Sequence, residues 1–503
     1  MAAACLIGVV ATALAVGSAF GAGAGPSKAK EPKRPNIVMI MTDDQAKSTM
    51  SPEVMPNLYS KLMANGTTFS DYTVTTPLCC PSRAAYLTGE YGHNNGVLRN
   101  FYPDLKDKKN ILPTWLGRQG YKTAHVGKFL NSYEDGDLGP AAVGPGWDLW
   151  WTQLERRKYY DYKASKNGKV VHYGTDDEDQ ATTVTTKYAV NWTNRLVKKT
   201  DPFYMQVDYY APHTAPGRDT RCSAAPTPEA QDEHLYDSAP LPHPPSFNQA
   251  DVSEMPSFIR DKPLLTDDQI DRITQHYRCA LEAIHGIDRG IGEIYDTIAA
   301  AGELNNTVFL FTSDNGYFYG EHRIDKGKPY PYAENITMPL TISVPPRYRH
   351  RAPLLTDSDA PVANIDLAPT LLELAHGKPC RGKGKCRVMD GRSLMPAIED
   401  TGEFPSLRAI GLERYSCDFR GVRYGSSIYV SYSLEGTSGC QPDQAEMYDL
   451  GADPFQLDDL LPTADGSPND QLRLTLINKM RKLSDCAGIR GRDERPPSGH
   501  FCD

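Results

Sequence analysis

Four runs of apolar residues along the chain predict buried strands. They span residues 36–41, 123–126, 203–210 and 307–312, and they lack the alternation of apolar and polar residues expected of a half-solvated strand. Each run is followed directly by polar or charged residues. In an open α/β sheet the ligand site lies outside the carboxyl ends of the strands, so we expect these residues to converge there.

A long amphipathic helix is predicted between the third and fourth strands. Thr266 and Gln269 form a capping-box pattern, and apolar residues then recur on one stripe from Ile270 to Ile298. Residues 214–264, which precede this helix, are rich in Pro, Ser and Asp and have no clear period. A stretch this long without its own period is typical of a functional loop, and we expect it to overhang the site as a lid.

Near residue 400 the pattern changes to short alternating runs, which predict a small antiparallel sheet. These runs are 412–415, 421–424, 427–432 and 447–450. A final helix is predicted near residues 469–484. We therefore expect a large α/β catalytic domain over residues 35–400 and a smaller α+β subdomain over residues 401–503.

Residues 1–24 are apolar and small, and Ala22-Gly23-Ala24 fits a cleavage site, which predicts a signal peptide and a secreted or extracytoplasmic protein. The stretch lacks an early Lys or Arg, so an uncleaved membrane anchor is the second interpretation. The net charge is -9 and no long block of Lys and Arg occurs, so nucleic acid is not an expected partner.

Eight cysteines from Cys222 onward group as neighbours along the chain. In an oxidising compartment such neighbours are expected to form local disulfides, although spacing alone does not fix the connectivity. The expected pairs are Cys222 with Cys279, Cys380 with Cys386, Cys417 with Cys440, and Cys486 with Cys502.

Asp43-Asp44 and Asp314-Asn315 each place two oxygen-bearing side chains directly after a predicted strand. Three carboxylates and one amide make a hard, oxygen-only donor set suited to Ca²⁺ or Mg²⁺. One such pair alone is typical of a turn or a helix cap, but two pairs at strand ends favour a cation site. The paired Cys or His spacing of a zinc site does not occur near these strands.

The segment from Thr76 to Gly89 predicts a loop followed by a helix, with Pro81 suited to the first helical turn. Cys79 and Cys80 would lie at the helix N-terminus, a position that lowers the pKa of a thiol and attracts anions. Arg83 adds a planar donor for a tetrahedral oxyanion. On the residues alone, a buried or disulfide-bonded cysteine pair is an equally open interpretation.

Cys79-x-Pro-Ser-Arg83 followed by Leu87-Thr88-Gly89 is similar, residue for residue, to the sulfatase signature. The resemblance implies that Cys79 is oxidised to formylglycine by a maturation enzyme and that Arg83 stabilises it. It also implies a calcium site and residues that bind the sulfate group and assist its transfer. The implied calcium ligands are Asp43, Asp44, residue 79, Asp314 and Asn315. The implied substrate-binding and catalytic residues are Lys128, His213 and Lys328.

Residues 364–370 and 447–454 also resemble sulfatase segments, so the likeness covers roughly residues 35–460. It implies an alkaline phosphatase-like α/β fold, in which helices sandwich a large mixed sheet. The motifs most resemble those of N-acetylglucosamine-6-sulfatases and extracellular heparan sulfatases. They imply a sulfuric ester hydrolase, either an arylsulfatase or a sugar O-sulfatase, acting on a sulfated small molecule or glycan.

One position departs from the family pattern. Many arylsulfatases have Gly-Lys-x-His, whose histidine helps to release sulfate, whereas this chain has Leu130 there. His322 is a candidate for that role, and an ordinary surface histidine is the competing interpretation. His125 lies inside a predicted strand, so we expect a core histidine.

Two other functions are compatible with the implied fold. The fold also hosts phosphate-ester chemistry, so a phosphomonoester or phosphodiester hydrolase is the alternative enzyme. A sulfated-glycan-binding protein without activity is the second alternative, although the complete nucleophile motif disfavours it.

Overall fold

The computed structural model describes Met1 and residues 34–136, 139–154, 158–216, 221–328, 330–349, 355–415, 418–433, 444–461 and 468–503. The predicted signal peptide after Met1 lies outside the described residues, as do Cys417 and Cys440. Residues 34–503 form one unit. Within the described ranges, none of the helices combines the length and the apolar character needed to span a lipid bilayer.

Groups of strands and groups of helices follow one another along the first three quarters of the chain. The strands are β1 (Asn36–Thr42), β2 (Thr67–Phe69), β3 (Tyr72–Thr73), β4 (Lys122–Gly127), β5 (Leu149–Gln153), β6 (Tyr162–Lys166), β7 (Lys169–Tyr173), β8 (Phe203–Asp208), β9 (Thr307–Ser313), β10 (Leu340–Ser343), β11 (Asp357–Ser358), β12 (Val362–Ala363), β13 (Ala409–Arg414), β14 (Phe419–Tyr424), β15 (Ser427–Tyr432) and β16 (Gln444–Asp449). The helices are α1 (Cys79–Thr88), α2 (Gly92–Asn95), α3 (Leu112–Arg118), α4 (Ala181–Leu196), α5 (Ser257–Arg260), α6 (Asp267–Ala300), α7 (Ala333–Ile336), α8 (Leu367–Leu374), α9 (Met395–Ile398) and α10 (Pro468–Leu483).

The four predicted buried strands are neighbours in one large mixed sheet, in the order β9-β1-β8-β4 within β11-β2-β10-β9-β1-β8-β4-β5-β6-β7. These four strands run parallel to one another. Asp208 is in register with both Met41 and Gly127, and Thr42 is in register with Ser313. The four carboxyl ends therefore meet at one edge of the sheet, as the sequence predicts.

Helices cover both faces of this sheet. Successive side chains of β1 point to opposite faces, so that Met39 packs in the core beside α1, α3 and α8, while Ile40 packs in the core beside α4 and α6. The parallel strands are buried on both sides for this reason, which explains their continuous apolar runs. The predicted α/β fold class is confirmed.

Helix α6 follows the predicted pattern closely. Thr266 and Gln269 form the expected capping box, and the apolar stripe packs against the sheet through residues such as Ile284 and Ile287. The loop over residues 214–264 contains the short helix α5 and is joined to α6 by the disulfide between Cys222 and Cys279.

The loop also packs on the segment over residues 318–332, which carries Lys328. Val252, Met255 and Ile259 form one apolar cluster with Phe318, Ile324 and Tyr332. The Arg323 side chain donates to backbone carbonyls of the loop, including that of Gln249 at 2.8 Å. The loop therefore braces this segment, and its role as a lid stays a prediction.

The C-terminal residues form the expected second sheet. β13, β14, β15 and β16 are antiparallel neighbours, and α10 packs on them through Leu476 and Leu483. The disulfides Cys380–Cys386 and Cys486–Cys502 are formed as predicted. The domain boundary near residue 400 stays a prediction.

His93 of α2 joins the first part of the chain to this second sheet. Its Nδ1 lies 2.9 Å from a carboxylate oxygen of Glu413 in β13, and its Nε2 lies 3.0 Å from the carbonyl of Cys486. Burial disfavours the charged imidazolium, but the hydrogen bond and the charge of Glu413 raise the pKa of His93 to about 9.

Because the folded-state pKa of His93 is raised, its stabilising contribution is present below its unfolded value of about 6.5 and is lost as the pH rises through about 9. We expect His93→Asn to lower the thermal unfolding midpoint clearly at about pH 6 and much less above about pH 9. The control His234→Asn removes an exposed ion pair with Asp237, which contributes little. A His93→Asn difference that is the same at both pH values would contradict this assignment.

Candidate active site

Residues that follow three of the four parallel strands meet in one buried cluster. Asp43 and Asp44 follow β1, Asp314 and Asn315 follow β9, and Lys128 follows β4. All five are buried. Their convergence, which the sequence predicts, follows from the parallel arrangement and the shared register of the strands, while their roles stay predictions.

The oxygen atoms of this cluster are held by a short hydrogen-bond network. Asp44 adopts a left-handed backbone conformation, with φ at 68°, and its backbone N–H donates to Asp314 Oδ1 at 3.1 Å. The Asn315 amide donates to Asp44 Oδ1 at 2.8 Å. One ligand atom each from Asp43, Asp44 and Asp314 lies within 4.8 Å of the others. The three carboxylates are close enough to share one cation.

Two lysines supply positive charge to the carboxylates. Lys128 Nζ bonds to Asp43, and Lys328 Nζ bonds to Asp44. Burial opposes charge on all four groups, yet the mutual attraction lowers the pKa of both aspartates and raises the pKa of both lysines. Both aspartates are therefore ionised and both lysines are protonated at neutral pH.

Cys79 is the first residue of α1, and its thiol lies inside this charged cluster. Its Sγ is 2.8 Å from Lys328 Nζ and 3.4 Å from Asp43 Oδ1. Burial, reinforced by the charge of Asp43, raises the pKa of Cys79 to about 12 despite the two lysines.

The sequence-based expectation that the helix N-terminus lowers this thiol's pKa is therefore wrong. Loss of hydration and the adjacent carboxylate of Asp43 outweigh the charges of the two lysines. A thiol that remains protonated is a poor nucleophile, so the unmodified Cys79 is not suited to attack. No disulfide joins Cys79 to Cys80, so the disulfide-bonded interpretation of this pair is wrong, whereas both side chains are buried, as the other interpretation expects.

Arg83, one helical turn after Cys79, ties α1 to two strand ends. Its Nε donates to Asp314 Oδ2 and its Nη1 donates to the carbonyl of Lys128, both at 2.8 Å. Within the described residues its Nη2 is buried without a hydrogen-bond partner. The guanidinium thus fixes the position of residue 79 and keeps one donor available.

His213 lies at the rim of the cluster, after β8. Its Nε2 is 3.7 Å from Asp44 Oδ2, and its Nδ1 is 2.7 Å from the carbonyl of Thr214. Burial lowers the pKa of His213 although Asp44 and Asp43 act in the opposite direction. The imidazole is therefore neutral at neutral pH, and the carbonyl contact favours the proton on Nδ1.

Two other histidines lie elsewhere. His125 is fully buried in β4 with its Nε2 3.0 Å from Asp208 Oδ2, which confirms the predicted core position. His322 is also fully buried, so the surface interpretation is wrong. It contacts Gln249 at 3.1 Å and stacks on Tyr332 rather than on the residues around Cys79. Leu130 is packed in the hydrophobic core.

Several residues near the cluster were missed from the sequence. Asp208 ends β8, bonds His125 and lies 3.8 Å from Arg83, so the rule of polar strand ends could have found it. His276 of α6 lies beside Tyr317, with ring centroids 5.0 Å apart. Burial lowers the pKa of His276 to about 4. Tyr317 comes from a loop, so the helical and strand periods of the sequence do not predict that it lies beside His276.

Comparisons with known proteins agree with this arrangement. A family model described as Sulfatase matches residues 35–377. A Caenorhabditis elegans protein named as an extracellular sulfatase Sulf-1 homolog is 30% identical over 72% of this chain, which spans about half of that relative (49%). The N-acetylglucosamine-6-sulfatase of Capra hircus is 27% identical over 93% of this chain and 86% of its own length.

Solved structures show the same fold. The structure of BT4656 in complex with its substrate D-glucosamine-2-N,6-O-disulfate has a TM-score of 0.68 and 24% identity. The match covers 90% of this chain and 97% of the other. A likeness at this identity is evidence for the fold, and it confirms the expected large sheet with a smaller C-terminal sheet.

We expect Arg83→Lys to lower the free energy of unfolding by about 3 kcal/mol, because a lysine cannot make both buried contacts of the guanidinium. Denaturant unfolding measures this change. Arg99→Lys is the matched control, since Arg99 Nε also bonds an aspartate at 2.8 Å but at the surface. Equal effects of the two substitutions would refute the structural importance of Arg83.

Proposed function

The chain belongs to the sulfatase family, and we propose that it hydrolyses the sulfate ester of a sugar, using a formylglycine made from Cys79 and a bound divalent cation. The observation that carries the proposal is the contact of Cys79 Sγ with both Asp43 and Lys328. This side chain lies where cations and buried carboxylates converge, and such a site can hold an anionic group beside the reacting residue.

Modification of Cys79 is supported by the chemistry of the unmodified residue. The complete signature from Cys79 to Gly89 is present, and the thiol is kept protonated by burial and by Asp43. A formylglycine at this position would supply a hydrated aldehyde. One of its hydroxyl oxygens would bond to sulfur as the S–O bond to the alcohol breaks, with its proton passing to a base. The second hydroxyl would then lose its proton and reform the aldehyde as the C–O bond to sulfate breaks. Proposed partners are thus a sulfated substrate and a maturation enzyme that oxidises Cys79.

The protonation states of the surrounding residues suggest their roles. Lys128 and Lys328 are protonated and would neutralise the sulfate oxygens as charge builds in the transition state. Lys328 also carries a proton that it can give to the leaving alcohol. His213 is neutral, so it is better suited to accept a proton than to donate one. Arg83 holds residue 79 in place.

The proposed cation fits the oxygen donors that are present. Asp43, Asp44, Asp314 and the Asn315 side-chain oxygen form a hard donor set, and residue 79 lies beside them. Ca²⁺ accepts carboxylate and amide oxygens in irregular geometry more readily than Mg²⁺ does, so we favour Ca²⁺. Bound there, the cation would supply Lewis acidity to an oxygen at position 79.

A sulfated sugar is favoured by the relatives and by the rim of the site. One relative is named an N-acetylglucosamine-6-sulfatase, and the fold matches a protein solved with a sulfated glucosamine. His213 stacks on Tyr210, with ring centroids 5.0 Å apart, which places flat rings beside the cluster. Secretion is proposed as well, because the formed disulfides suit an oxidising compartment.

We expect Cys79→Ala to abolish sulfate-ester hydrolysis while leaving the fold intact, since only this residue can provide the aldehyde. Turnover of an aryl sulfate and of a sulfated glucosamine measures the effect, with an aryl phosphate in parallel to test the alternative chemistry. Cys80→Ala is the matched control, because Cys80 is the adjacent buried thiol and is expected to keep activity.

Mass spectrometry of the matured protein completes this test. The peptide that spans residue 79 should show sulfur replaced by oxygen together with the loss of two hydrogens, because the –CH2–SH group becomes an aldehyde. Full activity of Cys79→Ala, or an unmodified thiol in fully active protein, would rule the proposal out. Faster hydrolysis of the phosphate than of the sulfate would favour the phosphoesterase.

We expect Ca²⁺ to raise the thermal unfolding midpoint of the protein, with about 2.7 kcal/mol of added stability when Ca²⁺ is at 100 times its Kd. Asp44→Asn should remove most of this response because it takes one carboxylate from the donor set. Calorimetric titration measures the binding directly. Asp176→Asn, an exposed acid outside the cluster, should respond like the wild type, and an identical response of both variants would speak against a cation at Asp44.

A further inference from the structure

A second charged pocket lies in the C-terminal part of the chain. It has a volume of ≈ 700 Å³ and is enclosed by β13, β14, α10 and residues 490–503. We call it the basic pocket, because five cationic side chains line it. They are Arg392, Arg408, Lys479, Lys482 and Arg490.

Only part of this charge is compensated. Arg408 is paired with Asp366 through two hydrogen bonds of 2.6 and 3.0 Å. Arg392 lies 3.5 Å from Asp503, which among the described residues is the one carboxylate that lines the pocket. The protein as a whole carries a net charge of -9, so the excess positive charge of this concave surface is opposite in sign to the charge of the whole protein.

The other three cations face rings and solvent. Lys479 Nζ stands 3.8 Å from the centre of the Tyr424 ring, and the Arg490 guanidinium stands 5.4 Å from that of Phe501. Lys482 is exposed on α10, one turn after Lys479. In the described ranges none of the three forms an ion pair with a carboxylate, so all three can receive an anion.

Buried donors in the pocket also lack acceptors. The Nε atoms of Arg392 and Arg408 are buried and have no hydrogen-bond partner within the described residues. The Arg408 side chain is 1% exposed. Both nitrogens are closed to solvent, so an anion in the pocket would meet the side chains of Lys479, Lys482 and Arg490.

We propose that the basic pocket binds an anionic segment of a sulfated glycan at a second site, away from the residue 79 cluster. This inference rests on the proposed function, because it takes the ligand to be the same class of sulfated sugar. The volume is in the range of ligand pockets, about 300–1,000 Å³, and several separated cations suit a chain of sulfates better than one small ion. Planar guanidinium groups suit sulfate oxygens.

The test uses the full chain with Cys79→Ala, so that the ligand is not hydrolysed, and a heparin hexasaccharide as the probe. We expect calorimetry to show that Lys479→Gln with Lys482→Gln weakens binding about five- to tenfold and reduces its salt dependence. The matched control is Lys198→Gln with Lys199→Gln, which removes the same charge from exposed lysines elsewhere and should leave binding unchanged.

In matured protein with Cys79 restored, the pocket variant should lose a similar factor in kcat/KM on a long sulfated glycan and keep its rate on an aryl sulfate. Unchanged hexasaccharide binding, or the same loss in the control, would overturn the proposal. An oligonucleotide of similar charge that binds as tightly through Lys479 and Lys482 would also overturn it, because the pocket would then be unselective for glycans.

The two proposals fail in different ways. If matured wild-type protein does not hydrolyse sulfate esters, the proposed function is wrong whatever the pocket binds. If it hydrolyses them and the pocket variant behaves like the control, only the second site is wrong.

Discussion

The site depends on the attraction between two adjacent buried carboxylates and two lysines that come from distant parts of the chain. Asp43 and Asp44 would repel each other strongly in a dry interior if Lys128 and Lys328 did not pair with them. The sheet brings Lys128 close, and the braced segment over residues 318–332 brings Lys328. Displacement of either lysine would remove one of the charges that offset the buried carboxylates, so the surrounding fold has to hold both lysines in place.

Arg83 connects this charged cluster to residue 79, the proposed nucleophile. By bonding Asp314 and the carbonyl of Lys128, it connects α1 to the ends of β9 and β4. Residue 79 is placed at the start of the same helix, so the ion pair of Arg83 helps to set its position. Preorganised charges of this kind stabilise a transition state without having to rearrange during the reaction.

The sheet and most of the cluster could be predicted from the sequence because both follow from local patterns. Apolar runs without alternation reveal buried parallel strands, and the polar residues after them must meet where the strands end. The capping box at Thr266 fixed the start of α6 in the same way. Other features depend on contacts that no local pattern contains. The raised pKa of the Cys79 thiol results from burial beside Asp43, and the surroundings of His322 are supplied by the loop residue Gln249 and by Tyr332.

The burial of residue 79 limits when this residue can be oxidised. The Cys79 side chain is 1% exposed, and it is enclosed by α1, the strand ends and Lys328. A modifying enzyme could not reach this sulfur in the folded protein, so the proposed oxidation has to take place while the segment from Thr76 to Gly89 is still an extended chain. Each molecule would then be committed to an active or an inert form during its synthesis, before its tertiary structure exists.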